Sequence, residues 1–189
     1  MNLLTFFEDD TIMAAMTLRD CTAPLCGNMA LHTGEEAGAV MENRRRLSEE
    51  TLPLSRWCCA MQTHSANAYA VTAEDAGRGA LTIDDAIPAC DALYTRERGV
   101  LIGVFTADCV PLLLHDPHSG IIAAIHAGWP GTVKQITHHT VSRLIEREGL
   151  DARTVQVWIG PCIHQPSFQI REDVIAQIRA LPFDTSPYL

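Results

Sequence analysis

The chain has 189 residues, 47% hydrophobic and 20% charged, which is the composition of an ordinary soluble domain with a sizeable core and excludes disorder as its ground state. A formal charge of −9 and a pI near 5.2 argue against a broad basic surface for nucleic acid or anionic membranes, though one small site can still be locally positive. Seven cysteines with no CxxC pair do not make a disulfide framework, and neither a basic leader nor an apolar run of membrane-spanning length occurs, so the expectation is a cytoplasmic protein with reduced thiols.

No repeat or low-complexity linker divides the chain, and residues 1–189 read as one domain. The segment 35–52, rich in helix formers with apolar residues at 40, 41 and 47, predicts a helix with a charged outer face. RWCCAMQT (56–63) predicts a buried strand running out into a polar stretch at His64. Between 100 and 127 three apolar runs, VLIGVFT, VPLLLHD and GIIAAIHAG, predict strands, the last two joined as a hairpin through DPHSG. Apolar positions at 133, 136, 141, 144 and 145 predict one amphipathic helix ending at Gly149. VQVWIG (155–160) returns as a strand, and EDVIAQIRALPF as a short helix stopped near Pro182. The pattern gives a mixed α/β fold, with central mixed sheets and helices outside.

His64, Cys109 and His126 each fall at or near the end of a predicted buried strand, where side chains converge on a cleft. Two imidazoles and a thiolate form a borderline-soft donor set suited to zinc, and three protein ligands leave a fourth position open, the mark of a catalytic rather than a structural site. Spacings of 45 and 17 residues match no zinc-finger pattern, and a lone His or Cys is more often a packed core residue.

Six strings at these and neighbouring positions change that balance. QTHS (62–65), TADCVPLLLHDP (106–117), AAIHAGWPGT (123–132) and IGPCI (159–163), with GNMALHTGE (27–35) and ENRRRL (42–47), resemble the signature blocks of the YfiH family, first labelled laccase-domain or polyphenol oxidase proteins and later recognised as purine nucleoside phosphorylases. The resemblance runs from about Gly27 to Ile170. It implies zinc held by His64, Cys109 and His126, and phosphorolysis of adenosine, inosine and methylthioadenosine to base and ribose 1-phosphate, with adenosine deamination beside it. Nucleoside and phosphate are then the partners, with no nucleic acid or membrane. Activation of water by zinc suits attack on carbon 6 of adenine, although the H-x-E and PCxxC signature of zinc deaminases is absent. Copper, which the older label suggests, is the less favoured metal: eight histidines with no HxH pair do not supply a multicopper oxidase.

The chain departs from the family pattern in places. Pro130 stands where HAGWRG carries arginine, Phe168 and Gln169 replace a Tyr and a Glu, and the family's last stretch of roughly fifty residues, a substantial part of a domain, is not found. Asn28, Arg44 and Asp108 are candidates for substrate contact or for orienting a ligand, although Arg44 lies in a charged run that ordinarily marks a solvated helix face. The amides of Gly128 to Thr132, at a predicted helix start, are expected to point into the cleft as an anion site. Cys162 reads as a packed thiol below the site, and Cys58 and Cys59 as core residues facing opposite ways. His115 and His118 read as solvated, His138 and His139 as an exposed helix face, and His164 as undecided. Two other functions use the same residues: a metal-free hydrolase with Cys109 as nucleophile and a His as base, or an inactive metal-binding or regulatory domain.

Overall fold

A computed structural model describes residues 2–188. In chain order its strands and helices begin with β1 (Leu3–Glu8), β2 (Met13–Thr17), α1 (Ala37–Glu50), β3 (Trp57–Cys59), β4 (Ala68–Ala70), β5 (Ala92–Thr95) and β6 (Leu101–Gly103). They continue with β7 (Val110–Asp116), β8 (Ile121–Ala127), α2 (Trp129–Val133), α3 (Ile136–Glu148), β9 (Gln156–Ile159) and α4 (Glu172–Arg179). Strands β1 and β2 form an antiparallel hairpin, β3 and β6 a parallel pair, and the other five a sheet in the order β4-β5-β8-β7-β9, antiparallel except between β4 and β5.

The period-two alternation of strand side chains stacks these elements into layers. Ile121, Ala123, Ile125 and Ala127 of β8, with Ala92 and Tyr94 of β5, pack against Ile136 and Leu144 of α3. The other face of that sheet, through Leu93, meets Cys58 of β3 and Ile102 of β6. The far side of the parallel pair presents Trp57, Cys59 and Leu101 to Leu47 of α1. The order is therefore α3, five-stranded sheet, two-stranded sheet, α1. The architecture is mixed α/β with helices outside, as the sequence pattern predicts. Cys58 and Cys59 do face opposite layers, and burial pushes their thiols up to about 12 and about 11, away from the thiolate form.

Two segments differ from the sequence reading, and four strands lie outside it. The strand predicted over 56–63 ends at Cys59, apart from a single bridge from Ala60 to Ile87, and the chain then turns through a loop. The single helix predicted up to Gly149 is two helices, because Gln135 adopts a left-handed conformation (φ 60°) between α2 and α3. The stop at Gly149 is as expected: it takes φ 71°, and the Leu150 amide reaches back 3.1 Å to the Leu144 carbonyl. Strands β1, β2, β4 and β5 carry no strong periodicity and were not foreseen. Among the described residues no helix is long and apolar enough to cross a membrane.

Candidate metal centre

The β7–β8 hairpin assembles two thirds of the site. Its register pairs Pro111 with His126, so Cys109, two residues before Pro111, arrives beside the end of β8. The third group comes from the loop after β3, where His64 holds a left-handed backbone (φ 54°), a conformation that costs energy outside glycine and recurs at functional sites. The donor atoms of His64, Cys109 and His126 lie within 4.8 Å of one another. His64 Nε2 is 3.8 Å from Cys109 Sγ, and the two imidazoles meet edge to face with centroids 4.8 Å apart. Donors on a tetrahedral zinc stand roughly 3.3 to 3.7 Å apart, so side-chain adjustments of about 1 Å bring this set onto one ion. The residues fit such a metal. His126 is buried, Cys109 half-buried and His64 exposed, which leaves the cluster open on the His64 side.

Beneath it lies a residue that the sequence reading passed over. Asp91, wholly buried at the head of β5, accepts from His126 Nδ1 (2.8 Å) and the His64 amide (3.1 Å) on Oδ1, and from the Thr63 amide (3.2 Å), the Ser65 amide (2.7 Å) and Ser65 Oγ (2.7 Å) on Oδ2. Its carbonyl also receives the His126 amide at 2.8 Å. Burial alone would raise the Asp91 pKa; the hydrogen bonds from His126, Ser65 and Thr63 outweigh it and hold the carboxyl well below the usual range. The only sequence signal was an acid inside the apolar run PACDALYT.

Two further features of the site lie outside the sequence reading, which names Gly128 only for its amide and does not single out His32. A β-carbon on Gly128 would stand 2.5 Å from His64 Cδ2 and 3.0 Å from Cys109 Sγ, so the close approach requires glycine. His32 packs 5.9 Å from the Phe105 ring with its Nδ1 buried and unpartnered among the described residues, and burial, then the nearby His126 and Arg44 charges, push its pKa down.

The other sequence candidates separate clearly. Asp108 is exposed beside the cluster; its carbonyl accepts from the Ile163 amide at 2.9 Å, drawing the GPCI stretch against the Cys109 loop. Arg44 is neither a solvated helix residue nor open to phosphate. It is 1% exposed, donates to the carbonyls of Met29 (2.7 Å), Gly79 (2.7 Å) and Ala80 (2.8 Å), and lies over the Phe105 ring. Asn28 closes its own turn: Oδ1 accepts from the Ala30 amide at 2.8 Å and Nδ2 donates to Thr33 Oγ1 at 3.2 Å. Cys162 is half-exposed rather than packed, and His115 is half-buried against Phe7 (centroids 6.4 Å apart) rather than solvated. His118, His138, His139 and His164 are exposed. The expected row of free amides after Gly128 is shortened, since the Thr132 amide is spent on the Gly128 carbonyl at 2.8 Å. A cation reaches the site instead: Lys134 Nζ donates to the His64 carbonyl at 2.9 Å.

Residues 24–186 match the family model described as multi-copper polyphenol oxidoreductase laccase. The chain belongs to this laccase-domain family. It is 40% identical over 153 residues to the purine nucleoside phosphorylase YlmD of Geobacillus stearothermophilus, a match covering 80% of this chain and 56% of that protein. It is 35% identical over 161 residues to the adenosine deaminase RL5 of an unknown prokaryotic organism, covering 83% and 60%. The crystal structure of the Bacillus licheniformis hypothetical protein YfiH superposes with a TM-score of 0.80 at 34% identity, over 83% of this chain and 59% of that one. The chain thus spans a little over half the length of the laccase-domain relatives it matches.

Proposed function

We propose that this chain carries the metal centre of a purine nucleoside phosphorylase with adenosine deaminase activity, with zinc held by His64, Cys109 and His126. The observation that carries the proposal is the convergence of two imidazoles and one thiol within 4.8 Å, with His126 fixed from beneath by a buried carboxylate. The names of two relatives, one a phosphorylase and one a deaminase, support the choice of substrate. A bound zinc ion would supply a Lewis acid at the open side of the cluster. The protein's own groups do the rest. Asp91 holds His126 and the 63–65 backbone, Gly128 lets that backbone approach, and Lys134 sets a positive charge beside His64, where an anionic phosphate needs one.

Zinc is preferred to copper on ligand number, since the described histidines do not build the several sites of a multicopper oxidase. The metal-free thiol reading loses support from Cys109 itself. Burial, and then the charges of Asp108 and Asp91, act to raise its pKa, and a thiol mechanism with one His as base leaves the second imidazole of the cluster without a role. Metal analysis of the purified protein, combined with phosphate-dependent release of adenine from adenosine and release of ammonia without phosphate, tests the proposal. Stoichiometric zinc with adenine release supports it. Stoichiometric copper, or zinc with no turnover of any nucleoside, overturns it.

A further inference from the structure

Asp91 faces five donors with two oxygens, and how these are shared has a chemical consequence. Oδ1 takes His126 Nδ1 and the His64 amide, while Oδ2 takes the Thr63 amide, the Ser65 amide and Ser65 Oγ. An ionised carboxylate only accepts, so the proton between Asp91 and His126 belongs to Nδ1. A neutral imidazole carrying its proton on Nδ1 has its lone pair on Nε2, the nitrogen left to face His64 and Cys109.

We propose that Asp91 is a positioning residue that selects the Nδ1–H tautomer of His126 and, through the same carboxylate, holds the backbone of His64, so that one buried side chain sets two of the three candidate ligands. Three successive amides, of Thr63, His64 and Ser65, close around a single anion, and His64 stands at φ 54° between them. That conformation is unfavourable for histidine in isolation and is held here by the convergence on Asp91. The inference rests on the metal reading above for its purpose, but the tautomer and the loop geometry belong to the protein alone.

Asp91→Asn separates this role from a general structural one. The asparagine amide has one oxygen, which the three donors at Oδ2 would claim. Its NH2 group would then sit at the Oδ1 position, where it would oppose the His64 amide and face the His126 ring, whose Nδ1 could only accept. The proton would move to Nε2, and the ligand lone pair would be lost.

The measurement is nitrogen NMR of 15N-histidine-labelled, metal-free protein at a pH where the imidazoles are neutral, with metal affinity read separately by chelator competition using zinc and cobalt. The expected result is the Nδ1–H tautomer for His126 in the wild type, the Nε2–H tautomer in Asp91→Asn, and a roughly ten- to hundredfold fall in metal affinity for that variant, as for other lost partners of ligating histidines. Ser65→Ala, which leaves the Oδ1 contacts in place, should keep the wild-type tautomer. An Nε2–H tautomer in the wild type overturns the inference even if Asp91→Asn fails to fold, and so does unchanged metal affinity in a folded Asp91→Asn. Absence of nucleoside turnover would count against the proposed function and leave the tautomer result standing.

Discussion

Gly128 lies so close to His64 that any side chain on it would collide with the imidazole: a β-carbon would stand 2.5 Å from His64 Cδ2. Cys109 Sγ and His64 Nε2 would each stand at 3.0 Å, so the collision falls on two candidate ligands at once. His64 is exposed and can swing outward, while Cys109 is tied to the start of β7. We therefore expect Gly128→Ala to cost about 1–3 kcal/mol of stability by overpacking. Zinc affinity should drop at least about tenfold, which is what displacing one ligand through a loss of about 1.4 kcal/mol would give. Thermal melts and chelator competition on the same samples check this, and a variant with unaltered zinc affinity would contradict the close packing.

Cys109→Ala should abolish zinc retention and nucleoside cleavage together, because the remaining donors are two neutral imidazoles and no thiolate. Metal content by mass spectrometry and adenine release are the readouts. Cleavage that persists in fully chelated wild-type protein and disappears in Cys109→Ala would instead restore the thiol mechanism.

Arg44 carries a prediction that separates structure from substrate binding. Its removal leaves the carbonyls of Met29, Gly79 and Ala80 buried without their donor. Arg44→Met should lower stability by about 3 kcal/mol or more, since each lost charged hydrogen bond is worth about 1.5–3 kcal/mol. The apparent phosphate constant of whatever folded protein remains should be unchanged. A raised phosphate constant with normal stability would return Arg44 to the site.

Lys134 and Pro130 bear on the phosphate part of the proposed function. Lys134 lies four residues after Pro130, with its ammonium at the His64 carbonyl. Lys134→Met should raise the apparent phosphate constant roughly tenfold or more, and Pro130→Arg should lower it, each by about one charge-assisted contact worth about 1.5–3 kcal/mol. Zinc content should hold in Pro130→Arg. Identical phosphate titrations for wild type and both variants would remove this segment from the site.

Acid stability follows from the buried carboxylates. Asp91 and Asp116 are both held below the ordinary value of 3.8: burial opposes this in each, but hydrogen bonds outweigh it, for Asp116 from Ser119, Asp151, His118 and Thr154. The unfolded chain therefore binds more protons than the native one as pH falls past that value. Their contribution is complete above about pH 4–5 and is lost below it. His32, whose folded pKa is pushed below 6.5, adds an earlier loss, because the unfolded imidazole protonates first as pH falls through that value. Melting midpoints from pH 8 to pH 3 should show a shallow decline below about 6.5 and a steep one below about 4. His32→Gln should remove the first, and Asp116→Asn should blunt the second while lowering stability at neutral pH.

The mixed α/β class, the β7–β8 hairpin and, through the family resemblance, the three candidate ligands are legible in consecutive residues, whereas the order of the layers is not. Apolar runs at 110–116 and 121–127 separated by a turn predict the hairpin that forms, and blocks as distinctive as TADCVPLLLHDP and AAIHAGWPGT mark Cys109 and His126. Such features are local: periodicity and motif are written in consecutive residues. The use of distant polar groups is settled by the three-dimensional packing instead. Arg44 reads as a solvated charge in ENRRRL, yet the chain folds three carbonyls onto it from positions up to 36 residues away. Asp91 reads as an acid of no special kind, yet it is the anion on which His126 and the 63–65 backbone close. A buried charge is stable only when donors surround it, and those donors come from separate elements, so its role is fixed by the pairing of strands and loops rather than by the residues beside it in sequence.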